Sequence, residues 1–268
     1  MKTALFVSPH LDDVAFSCGG TFATLARAGW RCVLLTVFTR SVPNPTGFAL
    51  ACQTDKGMGP EVDYLALRRE EDAAAARHLG AAAVRWLDLP EAPHRGYHSP
   101  AALFADPLPG DTVTQELEPL LAAELAKWQA QLLFAPQGFG LHVDHRHVME
   151  AVRAVAGQVP VLWYRDTPYI IRQPAAVPAP ELPPDLTEVA VSLTDAALAT
   201  CIAASQAYSS QIGFQFGGAD QVQIKLTNLA LAEGQAAGVD LAAERFAVSL
   251  SDAAALPASF QRVRQRAR

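Results

Sequence analysis

The chain has 268 residues, 50% of them hydrophobic and 18% charged, with a formal net charge of −6. Half-hydrophobic composition excludes a disordered chain, and 17 glycines with 19 prolines are too few for a low-complexity one. The acidic balance argues against a broad nucleic-acid footprint, which calls for a basic face.

Residues 3–8 form a short apolar run that ends at Pro9 and two acids, the pattern of a buried strand feeding a loop. Gly19-Gly20-Thr21 then opens an Ala/Leu-rich helix over 22–28, with Gly29 as its stop, and 32–38 reads as a second buried strand. Strand, helix and strand in such close succession make a βαβ unit, and therefore a parallel sheet covered by helices. The alternation continues with a helix over 63–79 and a strand over 84–87. A helix over 111–130 leads into a strand over 132–135, and a helix over 147–156 precedes a strand over 161–164. The Pro/Ala-rich stretch 174–184 reads as a linker or a stiff surface loop. Beyond it a strand at 189–191, helices at 195–208 and 220–236, a strand at 245–250 and a basic, frayed end over 261–268 are expected. The predicted class is a single α/β domain over 1–268. Its sheet is Rossmann-like and mainly parallel, with helices on both faces and a C-terminal extension.

No run approaches the roughly 20 apolar residues needed to span a bilayer. Pro9-His10-Leu11-Asp12-Asp13 breaks the first apolar run before a signal-peptide core could form. Cys18, Cys32, Cys52 and Cys201 are scattered without a C-x-x-C, which favours a reducing, cytoplasmic setting over a disulfide framework. Neither nucleic acid nor membrane is expected as a partner, and the sequence is compatible with a homo-oligomer.

Two clusters carry the chemistry. Ser8-Pro9-His10-Leu11-Asp12-Asp13 lies where the first strand ends, and His142-Val143-Asp144-His145-Arg146-His147 lies just beyond another strand. Ligands of open α/β sheets bind outside the carboxyl ends of the strands, so both clusters stand on one edge. Two imidazoles and a carboxylate suit zinc, a further carboxylate can act as base, and a further His can face the developing oxyanion. Each cluster alone also has a plainer reading: His10 and Asp12-Asp13 as turn and cap residues, the later histidines as a solvated loop.

Taken together, Pro9-His10-Leu11-Asp12-Asp13 and His142-Val143-Asp144-His145 resemble the paired signature of the LmbE-like, or PIG-L, family of zinc-dependent de-N-acetylases. Ser17-Cys18-Gly19-Gly20-Thr21, Arg68-Arg69-Glu70-Glu71 before an Ala-rich helix ending Leu79-Gly80, and Tyr208-Ser209-Ser210-Gln211 extend the similarity from Leu5 to about Gln211. The resemblance implies His10, Asp13 and His145 as ligands of one Zn2+ (Fe2+ being the alternative) and Asp12 as general base. It further implies His142 as the group that stabilises the oxyanion or protonates the amine, and Asp144 as the carboxylate that orients a neighbouring His. The implied substrate is a small N-acetylated amino-sugar conjugate of the N-acetylglucosamine type. Leu11 and Val143 replace the family's usual prolines. Gly140 stands where some members carry a tyrosine, so any tyrosine assistance comes from elsewhere, from Tyr164 or Tyr169, or is absent. A sugar-nucleotide transferase and a non-catalytic metal-binding member of the fold are the competing readings. Imidazoles argue against the first, because they suit zinc better than magnesium.

Other residues have two readings each. Gly19 and Gly20 could admit a phosphate or sugar to the backbone, or could serve close packing. Arg68 could bind substrate or sit on a solvated helix face, and Glu71 could pair with it or with a turn. His147 could be a fourth metal contact but is expected to be an outer or surface residue, and His94 and His98 read as loop residues near the mouth. Trp163 and Cys18 read as core. Residues 39–60 and 94–109 are expected to form the rim.

Overall fold

The computed structural model describes residues 1–263. In chain order it begins β1 (Thr3–Ser8), α1 (Asp13–Arg27), β2 (Arg31–Phe38), α2 (Gly47–Thr54), α3 (Tyr64–Leu79) and β3 (Ala83–Leu89). The middle holds α4 (Pro100–Leu103), α5 (Val113–Trp128), β4 (Leu132–Pro136), α6 (Val143–Val155), β5 (Val161–Tyr164) and α7 (Tyr169–Arg172). It closes with β6 (Leu186–Ser192), α8 (Asp195–Gln206), α9 (Ser209–Phe216), α10 (Ala219–Ala237), β7 (Ala243–Ser249), α11 (Leu250–Ala253) and β8 (Phe260–Arg262).

One sheet runs β3-β2-β1-β4-β5-β7-β6-β8, parallel from β3 to β5 and antiparallel beyond. Its central strands are apolar almost throughout because helices cover both faces. Ala4, Phe6, Leu34 and Phe134 face one layer with α1, α3 and α8, whereas Leu5, Val7, Leu35 and Leu133 face the other with α5 and α6. This alternation is the period-2 signature of a strand buried on both sides. The Phe6 and Phe134 rings stack at 4.0 Å in the first layer. Phe134→Ala is expected to lower the unfolding free energy by about 3–5 kcal/mol, read by urea titration.

The expected C-terminal extension is instead an integral edge: β6, β7 and β8 complete the sheet. Gln261 and Arg262, expected to fray, pair with Ala190 and Val189. The remainder of that basic tail, 264–268, lies outside the described residues. The first helix also differs from expectation, starting at Asp13 and bending at Cys18 (φ −148°, ψ 25°). Just after this bend Gly20 and Thr21 donate backbone N–H bonds to the Glu244 carboxylate at 2.9 and 2.7 Å. A Cβ on Gly20 would approach Leu193 Cδ1 to 2.6 Å. The glycine pair therefore serves close packing, and a carboxylate of β7 already fills the place a phosphate would take. All four cysteines are free, and Cys18 is buried, as is Trp163.

Candidate metal centre

After β1 the chain crosses to β2 and β3 on one side, then returns to pair β4 with β1 on the other. The crevice at such a reversal is the usual ligand site of an open α/β sheet. Both clusters open into it. In the first loop Ser8 Oγ donates to His10 O at 2.6 Å and accepts from Val14 N at 3.1 Å, and His10 N donates to Asp13 Oδ2 at 2.7 Å. In the second, a turn through Gly138, Gly140 and Leu141, all at positive φ, delivers His142 to the start of α6. Gly140 is required here, since φ is +86° and a Cβ would overlap the Tyr169 ring. The helix begins at Val143, four residues before the expected start, so His145 stands on its first turn. His142 caps it, Nδ1 accepting from Asp144 N at 3.2 Å, and Asp144 complements the helix dipole.

The three expected ligands converge. His10 Nδ1 and His145 Nε2 each lie 3.4 Å from Asp13 Oδ2. Donor atoms on a tetrahedral zinc, with bonds of about 2.0–2.1 Å, stand roughly 3.3 Å apart. The outer partners fix which nitrogen faces inward. His10 Nε2 lies 2.9 Å from Asp144 Oδ2 and His145 Nδ1 lies 2.6 Å from Asp166 Oδ1. A carboxylate only accepts, so each pairing places a proton on that nitrogen, and in the neutral ring the lone pair then falls to Nδ1 of His10 and Nε2 of His145. His145 Nε2 is buried and has no hydrogen-bond partner among the described residues. Such an orphan is costly unless something coordinates it. The residues therefore fit a divalent cation. A second cluster, His10, His142 and Asp144, is equally compact but already spent. His142 Nδ1 is taken by a backbone N–H, and Asp144 accepts from His10, Ala92 N and Arg95.

Electrostatics agree with a site built for positive charge. Burial alone would pull His10 down, but Asp13 and Asp144 outweigh it and hold the ring well above its ordinary value. Burial likewise opposes the charge on His145, and Asp13 and Asp166 raise it. Against the burial that would raise it, His145 and His10 lower Asp13 to about 2. His142 behaves oppositely: burial, then the neighbouring His10, push it down to about 3, so this ring is neutral. With Nδ1 accepting from the backbone, its proton sits on Nε2. Burial raises Asp12 to about 7 against the pull of Arg68. No hydrogen-bond donor among the described residues occupies the Asp12 carboxylate, and Arg68 Nη2 stands 3.5 Å away.

His10, Asp12, Asp13, His142 and Asp144 border one cleft of about 290 Å³, with Phe48, Phe104 and Phe214 among its apolar walls. Arg68 lies in the wall as well, buried and not solvated: it donates to Glu91 Oε1 at 2.7 Å and to Leu11 O at 3.2 Å. Glu71 pairs with a turn instead, accepting from Ser209 Oγ, Ser210 N and Ser210 Oγ at 2.6–2.7 Å. His147 stays off the site, held by Thr114 Oγ1 at 2.8 Å and Asp111 at 3.1 Å. His94 borders a neighbouring cleft and His98 is exposed. Of the expected rim, Phe48, Cys52, Asp55, Lys56, Pro100, Leu103 and Phe104 line the cleft. Asp166, Glu91 and Arg95 were not among the expected site residues. The first two follow β5 and β3, the same strand-end position that singled out Asp12 and Asp13; Arg95 carries no such signal.

Fold and site define an α/β chain with a His/Asp cluster of three residues, able to hold a metal ion, at the switch point of its sheet. Residues 5–156 match the family described as PIG-L, GlcNAc-PI de-N-acetylase, and the chain belongs to that family. It is 38% identical over 167 residues to a 2′-N-acetylparomamine deacetylase of Streptomyces fradiae, an alignment covering 62% of this chain and 57% of that protein. A protein of the same description from Niallia circulans is 32% identical over 189 residues, covering 63% of this chain and 68% of the relative. A crystal structure of a deacetylase from the teicoplanin biosynthesis pathway shares the fold, with TM-score 0.81 and 24% identity over 92% of this chain and 98% of that one. Among the described residues, no helix is long and apolar enough to cross a membrane.

Proposed function

We propose that the chain is a zinc-dependent hydrolase that removes the N-acetyl group of a small amino-sugar conjugate. The carrying observation is the orphaned His145 Nε2 facing Asp13 beside His10, with ionisable Asp12 in the same cleft. Two relatives bearing deacetylase names support the substrate class. His10, Asp13 and His145 would hold the ion. When bound, zinc supplies Lewis acidity toward the amide carbonyl and brings hydroxide within reach of neutral pH.

The chain's own groups then divide the work. Asp12 takes the proton of the attacking water, and its carboxyl group later returns that proton to the departing amine. His142, neutral, donates its Nε2–H to the oxygen on which charge develops. Asp144 and Asp166 hold the two metal-facing rings in the required tautomer. Arg68, paired with Glu91, sits beside Asp12 and offers donors to sugar hydroxyls.

Of the two candidate tyrosines, Tyr164 is spent on Val7 O at 3.0 Å. Tyr169 borders the cleft in the space Gly140 leaves, and its hydroxyl bonds no other described residue. Tyr169→Phe is expected to lower kcat roughly 100-fold with little change in KM, as for removal of one oxyanion donor.

The transferase reading loses its phosphate site to Glu244. Incubating the zinc-loaded protein with a panel of N-acetylated amino-sugar conjugates tests the proposal. Equimolar acetate and primary amine from at least one member are expected. Zinc binding without acetate release from any member would leave a binding protein in its place.

A further inference from the structure

One buried arginine stands directly behind the proposed ligand set. Arg95 follows the short turn Ala92–His94, in the segment between β3 and α4. Its side chain is 9% exposed, and four of its five N–H groups are committed: one at Nε, one at Nη1 and two at Nη2. Nε reaches Asp111 at 3.2 Å, and Nη2 reaches Asp111 Oδ2 at 3.1 Å and Asp144 Oδ1 at 2.7 Å. Nη1 donates to Pro90 O at 2.7 Å. The guanidinium lies 4.8 Å from the Phe38 ring centroid and 5.8 Å from that of Tyr97, so its plane is held as well as its edges.

We infer that Arg95 is a positioning residue for the metal site, acting on His10 through Asp144. The inference rests on the reading of His10 as a ligand. Asp144 is fully buried, and its Oδ2 is shared between His10 Nε2 at 2.9 Å and Ala92 N at 3.1 Å. No other donor among the described residues reaches Oδ1, so the Arg95 contact fixes the rotation of the carboxylate. That rotation in turn sets the His10 ring and the direction of Nδ1 toward Asp13. A planar fork spanning Asp144, Asp111 and Pro90 O defines this arrangement, and the point charge of lysine cannot reproduce it. Arg95 also belongs to the segment that carries Glu91 and Pro93 into the cleft. The wall that meets substrate and the ring that meets metal are thereby pinned to one another.

Zinc affinity by chelator competition and thermal unfolding of the zinc-free protein, compared between the parent chain and Arg95→Lys, form the test. Losing an outer partner of a metal-binding histidine weakens the ion by about 10–100-fold; Arg95→Lys keeps Asp144 but frees its rotation, so zinc affinity is expected to fall to about the lower end of that range, roughly 10-fold, with a zinc-free Tm close to the parent's. A folded Arg95→Lys that holds zinc as tightly as the parent overturns the inference, and so does a lowered Tm with unchanged zinc affinity. Should Arg95→Lys not fold, Asp111→Asn removes one anchor of the guanidinium and is expected to weaken zinc in the same direction by a smaller factor; parent-like affinity there also overturns it. Absence of zinc binding in the unsubstituted chain is a separate result, which defeats the metal reading and the role of Arg95 with it.

Discussion

Asp12→Asn is expected to lower kcat by about 10²–10⁴-fold, the usual contribution of a general base, while zinc content stays at the parent level. The two effects separate because Asp12 lies outside the converging His10, Asp13 and His145 donors, whereas its neighbour Asp13 is one of them. Burial raises the Asp12 carboxyl to about 7, with Arg68 opposing. The proposed base works only when ionised, so kcat/KM should fall as pH drops through an acid limb at or below about 7. A cation bound nearby moves that limb lower. Arg68→Met removes an opposing positive charge and should move it upward. The stability consequence has the opposite sense. Unfolded Asp12 releases its proton near 3.8 and folded Asp12 near 7, so the folded zinc-free chain binds more protons between those values and loses stability as pH rises through them. Zinc-free Asp12→Asn should therefore melt above the parent at pH 8 by differential scanning fluorimetry. A melting point at or below the parent's would contradict the assignment of that burial to Asp12.

His145→Ala is expected to abolish stoichiometric zinc and with it all measurable deacetylation. The ring is one of the two imidazoles in the donor set, and its Nε2 has no hydrogen-bond partner among the described residues. Removing an outer partner weakens a metal by about 10–100-fold, so removing a ligand should exceed the upper end of that range. Elemental analysis after dialysis against a weak chelator reads the effect directly. The substitution also strips Asp166 of its partner at 2.6 Å, leaving a fully buried carboxylate with the Phe139 N–H. Some loss of thermal stability should accompany the loss of metal. Retention of one zinc per chain at parent affinity would remove His145 from the site.

Much of this was legible in the chain itself, for identifiable reasons. Strands β1, β2 and β4 are buried on both faces, and continuous apolar runs such as Cys32–Phe38 announce that directly. Each expected ligand follows a strand that feeds the switch point, so topology alone brought the two clusters to one edge. What escaped notice is polar or short. The start of α6 is written in His, Asp and Arg, which look like loop until His142 is seen to cap the helix and Asp144 to sit on its positive end. Helix α9, with Gly213 inside and two serines at its first positions, owes its start to the Glu71 carboxylate of α3, a contact between residues 138 and 139 positions apart. Strand β8 spans three residues, below the length at which alternation can be read. Arg95 lies in a Pro/Gly-rich loop whose composition carries no hint of a buried guanidinium. Its placement follows from the two carboxylates it joins.

The hydrogen bond between His145 Nδ1 and Asp166 crosses the end of the family-matched region at residue 156. The two motifs thus do not form a transplantable cassette. A chimera exchanging only residues 5–156 with a distant relative would take this imidazole from one parent and the carboxylate that aims it from the other, and its metal affinity would report how well the two had been matched.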